Sequence, residues 1–124
     1  MPEKGIEASG WLTLTVVADD SSSGAEDARL KIEAPGVDGW VIGRSDHGGV
    51  YQPDVDLAPY SARQKGISRR HAVLVRYRGQ VHLLDLGSMN GTYVNDERLW
   101  PQVAVPLNSG DKLRFANLSL IITQ

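Results

Sequence analysis

Cysteine is absent from this sequence of 124 residues, so no disulfide can cross-link the fold and no thiolate can act as a nucleophile or metal ligand. The absence is typical of a reducing compartment, and we expect the protein to be cytoplasmic. The chain also lacks any run of about 18 apolar residues, and residues 1–10 lack the apolar region of a secretory leader. We therefore expect no membrane span, no signal peptide and no membrane partner.

A strong excess of either charge is also missing, since 13 Lys and Arg residues stand against 15 Asp and Glu residues, for a net charge of −2. Proteins that bind nucleic acid through its phosphates are usually basic overall or carry a long basic face. This balance therefore argues against a nucleic-acid partner. With 41% hydrophobic residues, the chain is long enough to form one domain with its own core.

No window of the sequence keeps a 3.6-residue apolar period long enough for a substantial helix. Short alternating or apolar runs recur instead, separated by Gly, Pro, Asn and Asp. Residues 72–77 and 81–86, for example, flank a tight turn and predict a hairpin. The pattern predicts an all-β sandwich of about ten strands in a single domain over residues 11–124, with residues 1–10 as a flexible tail and acidic residues 19–27 as a surface loop.

Two polar stretches lie between strand-like runs, at residues 67–72 and 87–95, and a third, Gly43-Arg44, ends an earlier run. The binding loops of β-sandwiches cluster at one end, so these three are expected to meet. Basic residues are concentrated around the first stretch, while carboxylates are few there in the sequence. A local positive patch of this kind suits a small anion better than a long polyanion. The basic residues are Arg44, Arg63, Lys65, Arg69 and Arg70.

These loops contain the groups that a phosphate on an extended peptide needs. Arg presents a planar fork that matches two phosphate oxygens, and Ser68 adds a hydroxyl donor. Gly66 and Gly91 allow sharp turns and close approach of backbone to a ligand. Asn90 carries both a donor and an acceptor, with which it can hold a peptide main chain. For the basic cluster alone, a solvated loop is the alternative interpretation.

Ser68 and His71 also allow a nucleophile-and-base interpretation. No pattern marks an orienting carboxylate or an oxyanion pocket, and Asp85 has the position of a strand-end residue. We therefore expect His71 to hydrogen-bond loop backbone and the protein not to be an enzyme. The acidic pairs near Asp46 and Asp54 lack a spaced third ligand, so no metal and no other cofactor is expected.

Four ordered motifs together resemble the signature of the forkhead-associated (FHA) domain family, over roughly residues 40–122. They are Gly43-Arg44, Ser68-x-x-His71, Asn90-Gly91-Thr92 with Val94-Asn95, and Leu107-x-x-Gly110-Asp111-x-Leu113. The resemblance implies an eleven-stranded, FHA/SMAD-like β-sandwich. It also implies a module that binds phosphothreonine on a partner protein, in signalling by an upstream Ser/Thr protein kinase.

The resemblance assigns roles to individual residues. Arg44 and Ser68 match the positions that hold the phosphate, and Arg69 matches a position that often adds a phosphate or backbone contact. Asn90 matches the position that hydrogen-bonds the peptide main chain. The remaining matches are Lys65 and Gly66, where the family reads residues C-terminal to the phosphothreonine, and Gly43, His71, Gly91 and Asn95, which mainly shape the loops.

The sequence departs from the family pattern at three positions. Met89 precedes Asn90 where a polar residue often helps to hold phosphate, and Asp96 and Ala116 stand where glycines are common. An alternative function for the same sandwich is a phosphate-independent scaffold that docks a folded partner, or its own copy, through a sheet face. The sequence makes no prediction about the oligomeric state.

Overall fold

The computed structural model describes residues 5–17, 28–46 and 48–124, and in this part of the chain eleven strands form two sheets. The predicted surface loop at residues 19–27 lies outside the described residues, as does His47. The strands are β1 Trp11–Val16, β2 Arg29–Glu33, β3 Trp40–Gly43, β4 Val55–Asp56, β5 Arg70–Tyr77, β6 Gln80–Asp85, β7 Thr92–Val94, β8 Glu97–Arg98, β9 Val105–Pro106, β10 Lys112–Phe115 and β11 Leu118–Thr123.

The two sheets have the orders β2-β1-β11-β10-β7-β8 and β4-β3-β5-β6-β9. Neighbouring strands are antiparallel except for β3 and β4, which run parallel. A short 3-10 turn, Ala58–Tyr60, is the only helical segment among the described residues. The prediction of an all-β sandwich is thus confirmed, with the strand number that the family resemblance implies.

Alternation along the strands places one face of each sheet in the core. In β1 the apolar Leu12, Leu14 and Val16 are buried, whereas Thr13 and Thr15 between them are half-buried. A period of two is expected for a strand with one buried face. Strands from both sheets supply the core, which includes Ile42, Leu74, Leu83, Leu113, Phe115, Leu120 and Ile122.

Two tight turns join neighbouring strands through left-handed backbone. The β5–β6 turn uses Arg78 and Gly79 with φ of 52° and 75°, and the β7–β8 turn uses Asn95 and Asp96 with φ of 49° and 70°. Positive φ at both central residues gives the twist that antiparallel hairpins favour. The departure from glycine at position 96 is tolerated because Asp is among the residues that adopt this conformation most readily.

Residues 5–10 are fixed against the sandwich, so the prediction of a flexible tail is wrong for them. Ile6 is fully buried, its N–H donates to the Leu107 carbonyl at 2.9 Å, and its own carbonyl accepts from Val81 at 2.8 Å. Gln124 adds hydrogen bonds to Glu7. A single buried isoleucine in a polar segment was not enough to mark this edge from sequence.

Across the described residues, no helix is both long and apolar enough to cross a membrane.

Candidate functional site

Arg44 directly follows β3 and is fixed against the loop that precedes β5. Its Nε donates to the carbonyl of Ile67 at 2.7 Å, and its backbone N–H donates to the carbonyl of Arg69 at 3.2 Å. The Arg44 side chain is 23% exposed, and its guanidinium therefore lies beside Ser68. Gly43 permits this approach, because a Cβ at that position would collide with the Arg69 carbonyl. In chain order the three predicted loops are Gly43-Arg44, residues 67–72 and residues 87–95. The structure thus brings the first and second of them together.

His71 joins the second loop to the third. Its ring is fully buried and packs edge-on against Phe115, with centroids 5.7 Å apart. Nδ1 lies 3.0 Å from the Ser68 N–H, which donates to it, and Nε2 lies 2.8 Å from the Gly91 carbonyl. These contacts require the neutral tautomer with the proton on Nε2. Both nitrogens are engaged by loop backbone, the kind of contact predicted for His71, which leaves neither to activate the Ser68 hydroxyl.

The protonation of His71 is set mainly by its environment. Burial lowers the pKa of His71 below the ordinary 6.5, although the hydrogen bond to Gly91 and the charge of Asp85 act in the opposite direction. Desolvation disfavours the charged ring. The imidazole is therefore neutral at pH 7, consistent with its role as acceptor for the Ser68 N–H.

Asn90 stands on the third loop, across from Gly66. Its Nδ2 donates to the Gly66 carbonyl at 2.9 Å, and a Cβ at position 66 would lie 2.6 Å from that nitrogen. Gly66 also has φ of 87°, so glycine is required there for two reasons. The side-chain oxygen of exposed Asn90 has no hydrogen-bond partner among the described residues and can accept from a peptide N–H. The neighbouring Met89 is 85% exposed, and its N–H faces the Ser68 hydroxyl at 3.4 Å.

Asp85 organises the third loop, a role that was not recognised from the sequence. Its carboxylate accepts hydrogen bonds from the N–H groups of Gly87 and Ser88 at 2.9 and 3.1 Å. The hydroxyls of Ser88 and Thr92 also donate to it, at 2.6 and 2.7 Å. Burial alone would raise the pKa of Asp85, but these hydrogen bonds together lower it below the ordinary 3.8. The Asp-x-Gly-Ser pattern at residues 85–88, typical of an Asx turn, was the available signal.

A carboxylate lies between the two arginines that were assigned to the phosphate. Oδ1 of Asp46 is 3.2 Å from Nη1 of Arg44, and Oδ2 is 2.9 Å from Nη1 of Arg69. Few carboxylates lie near the basic loop in the sequence, and Asp46 was expected to be at most a weak metal ligand. That expectation is wrong in three dimensions, because the turn after β3 carries Asp46 back to the basic loop.

The other predicted residues divide into those near the three loops and those away from them. The Lys65 carbonyl accepts from Asn117, which ties the second loop to the β10–β11 turn. Gly91 is buried with φ of 88° and touches the Arg98 side chain, where a Cβ would meet Nε at 2.8 Å. Asn95 instead lies at the far end of β7, where it hydrogen-bonds Asp111 and Lys112. Asn95 therefore shapes the β7–β8 turn rather than a binding loop.

Two clefts flank the arginines. One, of about 420 Å³, is lined by Arg44, Ser45, Asp46, Gly48, Ala58, Arg63 and Gln64. The other, of about 450 Å³, is lined by Tyr51, Arg69 and Arg70. Cationic side chains therefore line both clefts, which makes this end of the sandwich suited to an anion. No group of three His, Asp or Glu side chains that could hold a metal ion occurs within residues 5–17, 28–46 and 48–124.

The profile of the FHA domain family matches residues 40–116 of this chain. Among curated proteins, the oxoglutarate dehydrogenase inhibitor of Corynebacterium diphtheriae is 40% identical over 58 residues, which cover 47% of this chain and 38% of the inhibitor. The chain spans between 14% and 38% of the length of several such relatives.

Solved structures give the same comparison over nearly the whole chain. An FHA domain studied for phosphothreonine-dependent interactions superposes with a TM-score of 0.62 at 25% identity, covering 93% of this chain and 97% of the other. EmbR of Mycobacterium tuberculosis, in complex with a low-affinity phosphopeptide, superposes with a TM-score of 0.59 at 27% identity, covering 90% of this chain and 24% of EmbR.

Proposed function

This chain belongs to the FHA domain family, and from that membership we propose that it binds a phosphothreonine-containing segment of a partner protein in Ser/Thr-kinase signalling. The observation that carries the proposal is the meeting of the Arg44 guanidinium with the Ser68 loop, through the 2.7 Å hydrogen bond to Ile67. A phosphate carries about −1.5 to −2 charge and three acceptor oxygens, which match these donors.

In this proposal the phosphate is held by side chains from two loops and the peptide by a third. Arg44 donates through the nitrogens of its fork that face the ligand, and the Ser68 hydroxyl and Arg69 bind the remaining oxygens. The Asn90 side chain hydrogen-bonds the peptide backbone beside the phosphothreonine. Lys65 and Gly66 contact residues C-terminal to it and contribute to sequence preference.

The neutral His71 supports this arrangement without touching the ligand. Because it accepts from the Ser68 N–H and donates to the Gly91 carbonyl, it fixes the distance between the phosphate-binding loop and the Asn90 loop. A pre-formed site avoids the ordering cost of two mobile loops. Three charge-assisted hydrogen bonds of about 1.5–3 kcal/mol each supply about 5–9 kcal/mol. A dissociation constant on the order of micromolar, or about 8 kcal/mol, therefore also requires the main-chain contacts at Asn90 to offset the cost of ordering the peptide.

The test uses a synthetic peptide pool with phosphothreonine fixed at its centre and all flanking positions degenerate, alongside the same pool with threonine. Wild type should bind only the phosphorylated pool. Arg44→Ala should weaken this binding by about 100-fold or more, because the phosphate loses two charge-assisted donors. Arg70→Ala, which removes one nearby charge from the neighbouring cleft, should change it by less than about threefold. Equal binding of both pools by wild type would overturn the proposal.

The alternative, a phosphate-independent contact through a sheet face, has less support. Outward positions of β1 and β11 are mostly Thr and Ser, as at Thr13, Thr15 and Ser119, whereas the buried centre of a docking interface is usually more apolar. Binding through a sheet face would survive Arg44→Ala, so the same variant separates the two functions.

A further inference from the structure

Asp46 forms a contact that phosphate binding alone does not explain. One carboxylate engages the two guanidinium groups proposed to bind phosphate, with Nη1–O distances of 3.2 Å to Arg44 and 2.9 Å to Arg69. Two oxygens on one carbon, between two arginine forks, present the same hydrogen-bond pattern as two oxygens of a phosphate. In the protein without ligand, part of the donor set of the site is therefore already engaged by the chain itself.

The position of Asp46 is fixed by the surrounding backbone. The Gly49 N–H donates to the Asp46 carbonyl at 3.0 Å, and a Cβ on Gly49 would lie 2.5 Å from the Asp46 Cβ. On the other side, the N–H of Ser45 donates to Asp56 at 3.0 Å. Asp56 also accepts from Ala58, so it joins the turn after β3 to the start of the 3-10 turn. These contacts hold the backbone on both sides of Asp46 and direct its carboxylate toward the arginines.

The negative charge of Asp46 reduces the attraction of Arg44 and Arg69 for an incoming anion. Two guanidinium groups and one carboxylate carry a net charge of +1, against +2 for the arginines alone. A phosphate at the same donors would lie within a few ångströms of the Asp46 carboxylate, and like charges at that distance repel. Only a ligand whose own charge exceeds that of a carboxylate has the advantage in competition for the same two forks.

We propose that Asp46 is a specificity-determining residue whose carboxylate occupies the phosphate-binding position until a ligand binds. This inference rests on the function proposed above. The carboxylate is displaced by a dianionic phosphothreonine and excludes singly charged side chains such as Asp and Glu. The domain therefore does not bind acidic peptide segments that lack phosphate. Because Asp46 competes for Arg44 and Arg69, the domain binds phosphopeptide less tightly than it would without this carboxylate.

The experiment measures binding of wild type, Asp46→Asn and Asp46→Ala to three pools that differ only at the central residue: phosphothreonine, threonine and glutamate. Asp46→Asn should bind the phosphothreonine pool on the order of tenfold more tightly, since the two partly exposed ion pairs of Asp46 no longer compete with the phosphate for Arg44 and Arg69. Both variants should also gain measurable binding to the glutamate pool. Asp38→Asn removes the same charge from the exposed β2–β3 turn and should leave all three affinities unchanged.

The outcomes separate this inference from the proposed function. If wild type prefers the phosphothreonine pool but both folded Asp46 variants bind it no more tightly, Asp46 only positions the arginines and the inference is overturned. A gain equal to that of Asp38→Asn would overturn it too, as an effect of net charge. If wild type and variants all bind the phosphothreonine and threonine pools alike, the proposed function itself fails and this inference with it. Phosphate dependence that emerges only in the Asp46 variants would also overturn the inference, because phosphothreonine would then fail to displace Asp46 in wild type.

Discussion

Asp85 holds the loop that carries Asn90, and replacing it tests how far that loop depends on one buried carboxylate. One oxygen accepts from the N–H groups of Gly87 and Ser88, and the other accepts from the hydroxyls of Ser88 and Thr92. In Asp85→Asn, the amide oxygen can keep both backbone bonds while the amide nitrogen donates to the hydroxyls, which accept as readily as they donate. In Asp85→Ala, all of these donors lose their acceptor.

The two substitutions should therefore differ in magnitude. A hydrogen bond to a charged group contributes about 1.5–3 kcal/mol and a neutral one about 0.5–1.5 kcal/mol. Asp85→Asn keeps the geometry and loses the charge, so the free energy of unfolding should fall by about 1–2 kcal/mol. Asp85→Ala leaves buried donors unpaired, and the free energy of unfolding should fall by about 3–5 kcal/mol.

Denaturant unfolding of wild type and both variants measures these losses, and its pH dependence identifies their origin. Hydrogen bonding holds the pKa of Asp85 below 3.8 in the folded protein, against the effect of burial. A carboxyl whose pKa is lowered on folding stabilises the fold above its ordinary pKa, and this contribution is lost as the pH falls through the lowered value. The difference between wild type and Asp85→Asn should therefore shrink in acid.

Two results would refute this account of the loop. Equal losses for Asp85→Asn and Asp85→Ala would mean that the hydrogen-bond geometry contributes nothing beyond the charge. A difference between wild type and Asp85→Asn that stays constant down to about pH 2 would mean that the charge of Asp85 is not the source of the stabilisation.

Two further predictions concern the junction of the loops. Since the pKa of His71 is lowered on folding, the free energy of unfolding should decline as the pH falls below 6.5 and level off below the folded pKa. His71→Gln should remove this decline, as measured by denaturant titrations at several pH values. An unchanged dependence of the unfolding free energy on pH in this variant would contradict the prediction. Gly43→Ala should lower the free energy of unfolding by about 1–3 kcal/mol in the same assay, because the added Cβ meets the Arg69 carbonyl. Gly36→Ala, which has open space around it, should be nearly neutral. Similar losses for both variants would contradict the close approach of Gly43 to Arg69.

The strands with a clear alternation were predictable, and those without it were not. β1 alternates Leu and Thr around a buried face, and the β5–β6 hairpin has a short turn, so local patterns were sufficient. β9 is only Val105–Pro106, too short for any period, and its proline can lie only at a sheet edge. Ile6 pairs with residues far along the chain, and no local pattern contains that information.

The same limit applies within the site. Arg44, Ser68 and Asn90 were predicted as site residues because their order along the chain follows a family signature, and they remain candidates whose loops meet in the fold. The roles of Asp46 and Asp85 depend on which groups the folded backbone brings to them: Asp46 meets Arg69, which is 23 residues away in sequence. A carboxylate looks the same in the sequence whether it is solvated or holds a loop, so its partners were visible only in the fold.

The His71 ring spans the interior between the two layers of the sandwich. Ser68 precedes a strand of the five-stranded sheet, whereas Gly91 precedes a strand of the six-stranded sheet. Binding of the proposed peptide is consequently linked to the packing of the two sheets. A peptide held at both loops should raise the melting temperature of the whole domain, and a substitution that creates a cavity beside Phe115 should weaken peptide binding.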